Sequence, residues 1–538
     1  MPRLLQPVCL AVLVMLAFCG CDRTEEELPI PDPPDIECQF NVSDSNIVVS
    51  VLEEQDSVIF LLENDQRIAR SNGCFKSVNV DASNWRVDII HENNTLQSIP
   101  FLGNSLLIEK DNILLNPYDN APLAALVNFT LPVRGRIMLT VHGINEESPD
   151  ITHTFDGFEY DHSIQVFGLY VDHENSVTLS VLDFCGNERI SRDITIRTDP
   201  LGIIESGEMD VIVNEYSGNQ KNRLFMVNNA IFDPEGYVRW YSKLRGQKYY
   251  PIANGLIAIQ LWGDRGEAVT AFEDIRIINM MGQQLNLLDV PNRLHHEINE
   301  KTPGGNLLVA TNAQPYIDNS TDTEDMIAEI NPISRAVVKT WDLREIFDPT
   351  RERLKTEKPN DWCHLNSIEY DSTDNTLLIS SKLQYFVSKI DYETGAIKWI
   401  FGNHENWKEP WRKYLLTPTN FDTLVEPDRD WVYAQHMPRL TEDGNVIVYD
   451  NGRNRPGVDF CRIHEFRVNE TNMTVEKIWT HDFPYSTGSL GSVQVFEDGN
   501  VLVGHGARGE IIEVTRDNEV VFEAKLGNYY RTYPMQFY

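Results

Sequence analysis

Residues 443–450 read DGNVIVYD, and residues 498–505 read DGNVLVGH. The same pattern, a turn sequence followed by an apolar run, occurs as GGNLLVAT at 304–311 and as DNTLLISS at 374–381. Asn and Gly supply the positive-φ position of a tight hairpin turn, and the apolar run that follows predicts a strand. The four copies therefore indicate an internal repeat that is built from β-hairpins.

A second recurring element is a hairpin that ends in an aromatic residue. It occurs five times, and a sixth copy at 281–288 carries Leu in place of the aromatic. The aromatic residues are Trp240 in PEGYVRWY, Trp341 in SRAVVKTW, Trp399 in ETGAIKWI, Trp479 in TVEKIW and Phe522 in DNEVVF. Six all-β units predict a six-bladed β-propeller over residues 204–538, with four strands in each blade. Two unrelated sandwiches are the alternative, but they explain the repeat poorly.

The chain upstream of the repeat also has the short alternating runs of β-structure. Within residues 113–203, the runs RGRIMLTVHG, HSIQVFGLY and SVTLSVLD have spacings typical of a seven-stranded immunoglobulin-like sandwich. Residues 38–112 hold further runs such as NIVVSVL and DSVIFLL, which predict a small β-domain. The expected fold class is therefore all-β: a small β-domain, an immunoglobulin-like β-sandwich and a six-bladed propeller.

The first residues have the features of an export signal. Arg3 precedes an apolar stretch of about a dozen residues, which is too short to span a membrane and suits the hydrophobic region of a signal peptide. The stretch ends in FCGC, which predicts a lipoprotein signal peptide at 1–20 with Cys21 as the lipidated residue. A plain signal peptide cleaved nearby is the alternative. The acidic, proline-rich segment 21–37 is expected to be a tether, which would place the rest of the chain outside the cytoplasm, anchored to the membrane by lipid alone.

Composition limits the function classes. The chain has 538 residues and a formal net charge of −35, so its surface repels phosphate backbones and a nucleic-acid partner is not expected. Beyond the leader there are five cysteines with no C-x-x-C pair, which argues against a zinc ribbon or a thioredoxin-type site. A Cys38–Cys74 disulfide is left open, as is a homodimer.

Three histidines occupy similar positions in successive repeats. His296 lies ten residues before Asn306, His364 eleven before Asn375, and His436 nine before Asn445. Equivalent positions in a propeller are related by rotation about its axis, and the innermost strand of each blade begins near that axis. We therefore expect the three histidines to converge at the mouth of the central channel.

Convergent histidines have several chemical uses. They can bind a metal, with Glu297 and Asp361 as neighbouring carboxylates. One of them can act as a nucleophile or as a general acid or base while the others polarise the substrate. They can also be packing residues that are hydrogen-bonded to the backbone. The residue pattern alone leaves these three interpretations open.

Longer motifs resemble a known family. The chain is similar to the bacterial aryl-sulfate sulfotransferases, which do not use PAPS, over residues 113–538. The matching motifs are LHHE (294–297), DWCHLNSI (361–368), KIDYETGAIKWIFG (389–402), AQHMPRLTEDGNVIVYDNG (434–452) and FEDGNVLVGHGARGEIIEVT (496–515), with NPYDNAPLAALVNF, HSIQVFGLY and TDPLG in the upstream domain. The resemblance implies transfer of a sulfuryl group from a phenolic sulfate ester to a phenol acceptor, by a ping-pong route through a sulfohistidine.

The resemblance also implies roles for individual residues. It makes His436, in the Gln435-His436 pair, the nucleophile, and it implies that His296 and His364 contact the sulfuryl oxygens or the leaving phenolate. Asn366 follows His364 at the family's H-x-N spacing and is expected to bind substrate. No metal and no cofactor are implied, because no bound hydroxide has to be generated.

One position departs from the family. Where an Arg usually follows two serines, this chain has Lys382, which keeps the charge but lacks the bidentate fork of a guanidinium. We expect Lys382 to bind substrate, with Arg453 and Arg455 as residues that could compensate.

Other residues near the motifs are given simpler interpretations. His296 rather than His295 is expected to face the site, because its spacing to the turn lies between those of the other two histidines. His404 is expected in a loop, and Tyr118 in a turn. His505 is expected to face solvent.

Two functional alternatives are kept. One is a non-catalytic surface propeller that binds a glycan or an anion. The other is a metal-dependent hydrolase or lyase that uses the same three histidines.

Overall fold

The computed structural model describes residues 112–538 apart from 183–185, 187, 203–208, 262–271, 313–324, 352–361, 422–429 and 458–459. It describes the backbone alone for strands between residues 38 and 100 and for residues 132–134, 189, 272–273 and 325. The predicted signal peptide (1–20), Cys21 and the tether (21–37) lie outside these residues, as do Asp361 and the Cys74 partner of the disulfide left open above. Within the described part of the chain, no helix has the length and apolarity that a membrane crossing needs.

Regular structure is almost entirely β. The helices of the described residues are short and include the α-helix α1 (Leu343–Ile346) and the 3-10 turns Gly218–Asn222 and Trp411–Tyr414. The all-β class predicted from the alternating runs is confirmed.

Seven strands lie in the N-terminal region, where a small β-domain is expected. They form two antiparallel sheets, with strand orders β1-β2-β5 and β4-β3-β6-β7. Their bounds are β1 Cys38–Ser43, β2 Asn46–Val51, β3 Val58–Glu63, β4 Gln66–Ser71, β5 Val78–Asn79, β6 Trp85–His91 and β7 Asn94–Pro100. The boundary of this domain at residue 112 stays a prediction.

The next six strands form the immunoglobulin-like sandwich. They are β8 Ile113–Leu115, β9 Ala125–Val141, β10 Ile151–Thr154, β11 Glu159–Val166, β12 Glu174–Leu182 and β13 Glu188–Arg197. The long strand β9 belongs to both sheets, since its first part pairs with β8 and β11 and its last part pairs with β10 and β12. Buried and exposed residues alternate along β11, as one buried sheet face requires. Seven strands were expected, and six are present among the described residues.

The remaining strands form the propeller. Their bounds are β14 Asp210–Asn214, β15 Leu224–Val227, β16 Ala230–Phe232, β17 Val238–Tyr241, β18 Lys248–Ile252, β19 Leu256–Gln260, β20 Phe272–Asn279, β21 Gln284–Glu300, β22 Leu307–Asn312, β23 Asp325–Ile330, β24 Val337–Asp342, β25 Leu365–Asp371, β26 Thr376–Ser381, β27 Phe386–Asp391, β28 Ile397–Gly402, β29 Thr417–Pro418, β30 His436–Leu440, β31 Val446–Asp450, β32 Cys461–Asn469, β33 Thr474–Phe483, β34 Ser492–Val495, β35 Val501–His505, β36 Glu510–Val514, β37 Val520–Lys525 and β38 Thr532–Met535.

These strands form five sheets. The orders are β17-β16-β15-β38, β18 to β24 in sequence, β25-β26-β27-β28, β29-β33-β32-β31-β30 and β14-β37-β36-β35-β34. The seven-stranded sheet changes register within β21, whose residues 284–289 pair with β20 and whose residues 294–300 mainly pair with β22. If the seven-stranded sheet is divided within β21, the region has six four-stranded units. The predicted number of six blades depends on this division.

Strands from distant parts of the chain close the ring. The last strand, β38, is the inner strand of the sheet that contains β15, and β14 is added to the outer edge of the sheet of β37. The C-terminal residue also joins the two domains, because Tyr538 Oη accepts a hydrogen bond from the backbone N–H of Phe167 in the sandwich at 2.9 Å. The propeller and the sandwich therefore share a packed interface.

The repeated Asn of the turn-strand element has a structural role. The side-chain amides of Asn306, Asn445 and Asn500 each donate to a glutamate on the third strand of the same blade, at 2.6 to 2.7 Å. The Gly residues of these turns have positive φ, for example 75° at Gly444, which only Gly adopts without strain. The repeat thus specifies both the turn and the bond that closes it.

The repeated Trp residues join neighbouring blades. Trp240 Nε1 donates to the Met280 carbonyl at 2.7 Å, Trp341 to the Tyr392 carbonyl at 3.0 Å, and Trp479 to a backbone carbonyl of the last blade at 2.9 Å. Each indole therefore fixes the outer strand of its blade against the next one, and the inner strands are left to line the channel.

Candidate active site

The three predicted histidines lie at the beginning of inner strands. His296 is in the second half of β21, His364 immediately precedes β25, and His436 is the first residue of β30. In all three blades the pairing of the inner strand with its neighbour shifts register at the histidine or within the three residues after it. Such irregularities free a side chain from the ladder and re-aim it.

Two of the three rings, those of His296 and His364, lie side by side. The ring centroids of His296 and His364 are 4.3 Å apart, and both residues have positive φ, 53° and 54°. His364 and Lys382 are close enough to His436 and to His296 for their charges to disfavour protonation of both rings. The left-handed backbone is uncommon for residues other than Gly, and such strain clusters at functional sites.

His436 is a buried, neutral imidazole. It is 2% exposed, and its Nδ1 lies 2.6 Å from Oδ1 of Asn451. Burial, then the charge of Lys382, lowers its pKa well below the usual value, and the Asn451 bond opposes this only in part. A neutral imidazole with one nitrogen bound has a lone pair available on the other.

His296 is held in a similar way by His295. His295 is buried, and its Nε2 lies 3.2 Å from the Thr311 carbonyl, which can only accept, so this nitrogen carries the proton. In the neutral ring, Nδ1 of His295 is then an acceptor, and it faces Nδ1 of His296 at 3.1 Å. The lone pair of neutral His296 is therefore on Nε2, and the expectation that His296 rather than His295 faces the site agrees with this arrangement.

The backbone and the pKa of His296 are set by its neighbours. Its carbonyl accepts hydrogen bonds from the hydroxyls of Tyr250 at 2.8 Å and Tyr530 at 2.7 Å. Burial is the main reason that its pKa lies well below the ordinary value, and the charges of His364 and Lys248 act in the same direction. His296 is therefore a base that is neutral at pH 7.

Lys382 brings positive charge into the site. It is 8% exposed, and its backbone N–H donates to the carbonyl of His364 at 3.2 Å. A buried ammonium beside uncharged imidazoles favours an anion, and a phenolic sulfate ester is one.

Asn366 contacts other residues of the site through both its side chain and its backbone. It is completely buried, and its Nδ2 donates to the backbone carbonyl of Gln435 at 2.7 Å. The backbone carbonyl of Asn366 accepts a hydrogen bond from the guanidinium of Arg531 at 2.5 Å. The side-chain Oδ1 of Asn366 has no partner among the described residues. These contacts make Asn366 a support for the backbone before His436, and its predicted contact with substrate stays a prediction.

Arg531 and Lys248 were missed in the sequence. Arg531 is buried and forms an ion pair with Glu297 at 2.8 Å, so Glu297 neutralises a cation here. Lys248, at the start of β18, lies with Nζ 4.1 Å from the ring centroid of Tyr530. Burial, then the charge of Arg531, lowers its pKa to about 7. Neither residue has a repeated counterpart that a spacing argument could find.

Two expectations need correction or refinement. His505 does not face solvent, because it is completely buried and its Nδ1 lies 2.6 Å from the hydroxyl of Tyr449. Arg455 is buried and paired with Asp450, so its charge is already neutralised within the protein. Arg453 donates to the Gly488 carbonyl at 3.0 Å. The expected loop position of His404 and turn position of Tyr118 are both observed.

The site is thus a buried cluster of neutral imidazoles and cationic side chains in an acidic protein. Within the described residues, no group of three or more His, Cys, Asp and Glu side chains is arranged to hold a metal ion. Cys363 and Cys461 are buried, and neither is part of a disulfide among the described residues.

Known protein families and individual known proteins are similar to this chain. The family model for arylsulfotransferase (ASST) matches residues 209–534, and the model for the arylsulfotransferase Ig-like domain matches residues 112–199. The arylsulfate sulfotransferase AssT of Escherichia coli O6:H1 (strain CFT073) is 23% identical over 77% of this chain and 88% of its own length. The protein of the same name from Lelliottia amnigena is 24% identical, over 73% of this chain and 86% of its own.

Among solved structures, a protein of unknown function from Bacteroides caccae covers 62% of this chain and 100% of its own at 13% identity, with a TM-score of 0.34. This likeness is weak. The family match is different in kind, because it extends over more than half of the chain and includes all three histidines. The chain therefore belongs to the arylsulfotransferase family of sulfotransferase enzymes.

Proposed function

We propose that this chain transfers a sulfuryl group from a phenolic sulfate ester to a phenol by a ping-pong mechanism, with His436 as the residue that carries the group. The observation that carries the proposal is the state of His436: a buried imidazole, neutral at pH 7, with Nδ1 bound to Asn451 and cationic Lys382 nearby. This combination supplies a nucleophile and a counter-charge for the transferred anion.

The first half-reaction forms the sulfohistidine. Nε2 of His436 attacks sulfur, the bond between sulfur and the aryl oxygen breaks, and its electron pair leaves with the phenolate, which takes a proton from solvent. Sulfuryl transfer resembles phosphoryl transfer in its loose transition state, so positioning and charge stabilisation dominate. In this step Lys382 and the imidazole of His364 would stabilise the charge on the oxygens, because neutral His296 has a lone pair rather than a proton on Nε2.

The second half-reaction returns the imidazole. The phenol acceptor loses its proton to a neutral imidazole, its oxygen attacks sulfur, and the N–S bond breaks with its electron pair returning to Nε2. His296 suits the role of this base, because its Nδ1–H is directed at His295 and its low pKa keeps Nε2 unprotonated at pH 7. The proton it takes is then released to solvent.

The test is release of 4-nitrophenol from 4-nitrophenyl sulfate by the purified chain, with phenol varied at several fixed donor concentrations. We expect release to be stimulated by phenol, with the parallel double-reciprocal lines of a ping-pong reaction, and to be lost in His436→Gln. His404→Gln is the matched control, since His404 is an exposed loop histidine. Intersecting lines would contradict the ping-pong order, and equal activity in His436→Gln would contradict the role of His436.

We also propose that the chain is anchored by lipid on Cys21 and works outside the cytoplasm, in the periplasm or on the outer-membrane surface. The support is the arrangement of Arg3, the apolar stretch and FCGC in the first 21 residues. Incorporation of labelled palmitate that is lost in Cys21→Ser would bear this out, and equal labelling of the variant would contradict it.

A further inference from the structure

The side chain of Asn451 can face His436 in only one orientation. Its Nδ2 lies 2.8 Å from the Leu490 carbonyl, which has no hydrogen to donate, so the amide NH₂ must be on that side. The same Nδ2 donates to Oγ1 of Thr487 at 2.9 Å. Oδ1 of Asn451 is therefore the atom that faces Nδ1 of His436.

The amide orientation determines the tautomer of His436. Oδ1 only accepts, so the bond at 2.6 Å requires a proton on Nδ1, and the lone pair of the neutral ring is then on Nε2. Asn451 is completely buried, and its backbone carbonyl accepts a hydrogen bond from the backbone N–H of Thr487 at 3.0 Å. Burial and this backbone bond therefore hold the Asn451 side chain in its orientation toward His436.

The contacts behind Asn451 fix it further. Oγ1 of Thr487 lies 3.0 Å from the hydroxyl of Tyr449, and that hydroxyl lies 2.6 Å from Nδ1 of His505. His505 packs edge-on against Phe483, with ring centroids 4.3 Å apart. The buried polar chain from His436 to His505 therefore ends among aromatic side chains.

We propose that Asn451, held by Thr487 and the Leu490 carbonyl, is the positioning residue that keeps the proton on Nδ1 of His436 throughout the reaction cycle. The inference deepens the proposed function and rests on it for its chemical meaning. With Nδ1 protonated, Nε2 is the nitrogen that accepts the sulfuryl group. In the second half-reaction the leaving group is then a neutral imidazole rather than an imidazolate anion.

The choice of an amide rather than a carboxylate follows from the same chemistry. An amide oxygen is far too weak a base to remove the proton from Nδ1, whereas a carboxylate could share or take it. A carboxylate would also favour the cationic ring, against the positive charges that surround His436, which are those of Lys382, His364 when protonated, and Arg531. Burial and Lys382 keep His436 neutral before the reaction, and Asn451 holds the proton on Nδ1 both before and after it.

The direct test is the tautomer of His436, measured by long-range ¹⁵N–¹H NMR on the ¹⁵N-histidine-labelled full chain. The signals of His436 are assigned by their loss in His436→Gln. We expect the Nδ1–H tautomer in the unmodified protein, and the Nε2–H tautomer would overturn the proposal. The measurement needs no turnover, so it decides this inference even if transfer from aryl sulfates fails and the proposed function falls.

The kinetic test is Asn451→Asp, with Asn229→Asp as the matched control. Asn229 is also a buried asparagine that donates to a backbone carbonyl, at 2.8 Å, but it lies in the first blade. In Asn451→Asp we expect the acid limb of phenol release to move to higher pH by about one unit or more, because the new carboxylate favours protonated His436. We also expect the sulfo-enzyme to accumulate, because its second half-reaction is slower.

Thr487→Val provides a milder variant that keeps the fold. It removes one of the two acceptors of Asn451 Nδ2 and leaves the Leu490 carbonyl in place. We expect kcat to fall about 10-fold with little change in KM, since misplacing a reacting group lowers the rate rather than binding. An unchanged acid limb in Asn451→Asp, or the same shift in Asn229→Asp, would overturn the proposal.

Discussion

The side chain of Asn366 donates a hydrogen bond from Nδ2 to the backbone carbonyl of Gln435 at 2.7 Å, and this bond joins two neighbouring blades directly beside His436. Both residues are completely buried. Gln435 in turn donates to the Ser381 and Phe386 carbonyls at 2.9 and 2.7 Å, which ties it to the blade that carries Asn366. The position of the proposed nucleophile is thus determined across a blade boundary.

Asn366→Ala is expected to separate catalysis from stability. Losing the bond leaves the Gln435 carbonyl without this donor, which costs about 1–3 kcal/mol in unfolding free energy. Displacement of His436 should lower kcat as well, by about 100-fold. Urea unfolding and steady-state phenol release measure the two effects.

The control for this variant is Asn299→Ala. Asn299 makes the same kind of bond across a blade boundary, from Nδ2 to the Ile368 carbonyl at 2.9 Å, but it lies three residues beyond His296 along the strand. We expect a similar loss of stability with kcat nearly unchanged. Equal loss of kcat in both variants would show that Asn366 has no special role in positioning His436.

Lys382 is expected to be the main cation for the donor sulfate. In Lys382→Met, losing a charge-assisted hydrogen bond of about 1.5–3 kcal/mol should lower kcat/KM by about 10- to 150-fold. Lys382→Arg restores the charge with a bidentate fork and should retain most of the activity. Exposed Lys398→Met is the control. Full activity of Lys382→Met on 4-nitrophenyl sulfate would rule out this role.

Lys248 makes the stability of the protein depend on pH. Burial lowers its pKa from 10.5 to about 7, so between pH 7 and pH 10.5 the unfolded chain binds a proton that the folded chain does not. The unfolding free energy therefore rises with pH through this window. Below pH 7 Lys248 is charged in the folded protein, and the full free-energy cost of burying that charge is present.

Lys248→Met removes this penalty, so the variant should be more stable than the parent below pH 7. The difference in unfolding free energy between the variant and the parent should shrink as the pH rises from 7 towards 10, by about 1.36 kcal/mol for each pH unit. The difference between the two proteins, measured by urea unfolding at each pH, cancels other groups such as Glu369, whose pKa burial raises to about 7. A difference that does not vary with pH would contradict a depressed pKa of Lys248.

Much of the fold follows from local patterns. The turn-strand repeat predicts β22, β26, β31 and β35, because an Asn-containing turn and an apolar run are decided within about eight residues. Placing a histidine just before each inner strand then predicts convergence, since the blades share one axis. The division of the seven-stranded sheet at β21 is less visible, because the chain there runs from one blade into the next without a break.

The residues that were missed depend on distant contacts. Arg531 comes from the segment that closes the ring, and Lys248 begins the inner strand of a blade whose histidine is absent, so neither shares a spacing with the repeat. His505 was assigned to the surface because no other blade carries its counterpart. It is buried because Phe483 and Tyr485 pack against it. Asn451 was visible in the YDNG motif, but only the Leu490 carbonyl reveals its orientation.

The most direct test of the account is to trap the sulfo-enzyme. The chain would be incubated with 4-nitrophenyl sulfate without a phenol acceptor, quenched at alkaline pH and mapped by peptide mass spectrometry, beside His436→Gln and His404→Gln. We predict one sulfuryl group on the peptide that contains His436, released on addition of phenol, present in His404→Gln and absent in His436→Gln. A sulfuryl group on another residue, or acceptor-dependent turnover that persists in His436→Gln, would contradict the central claim that His436 carries the transferred group.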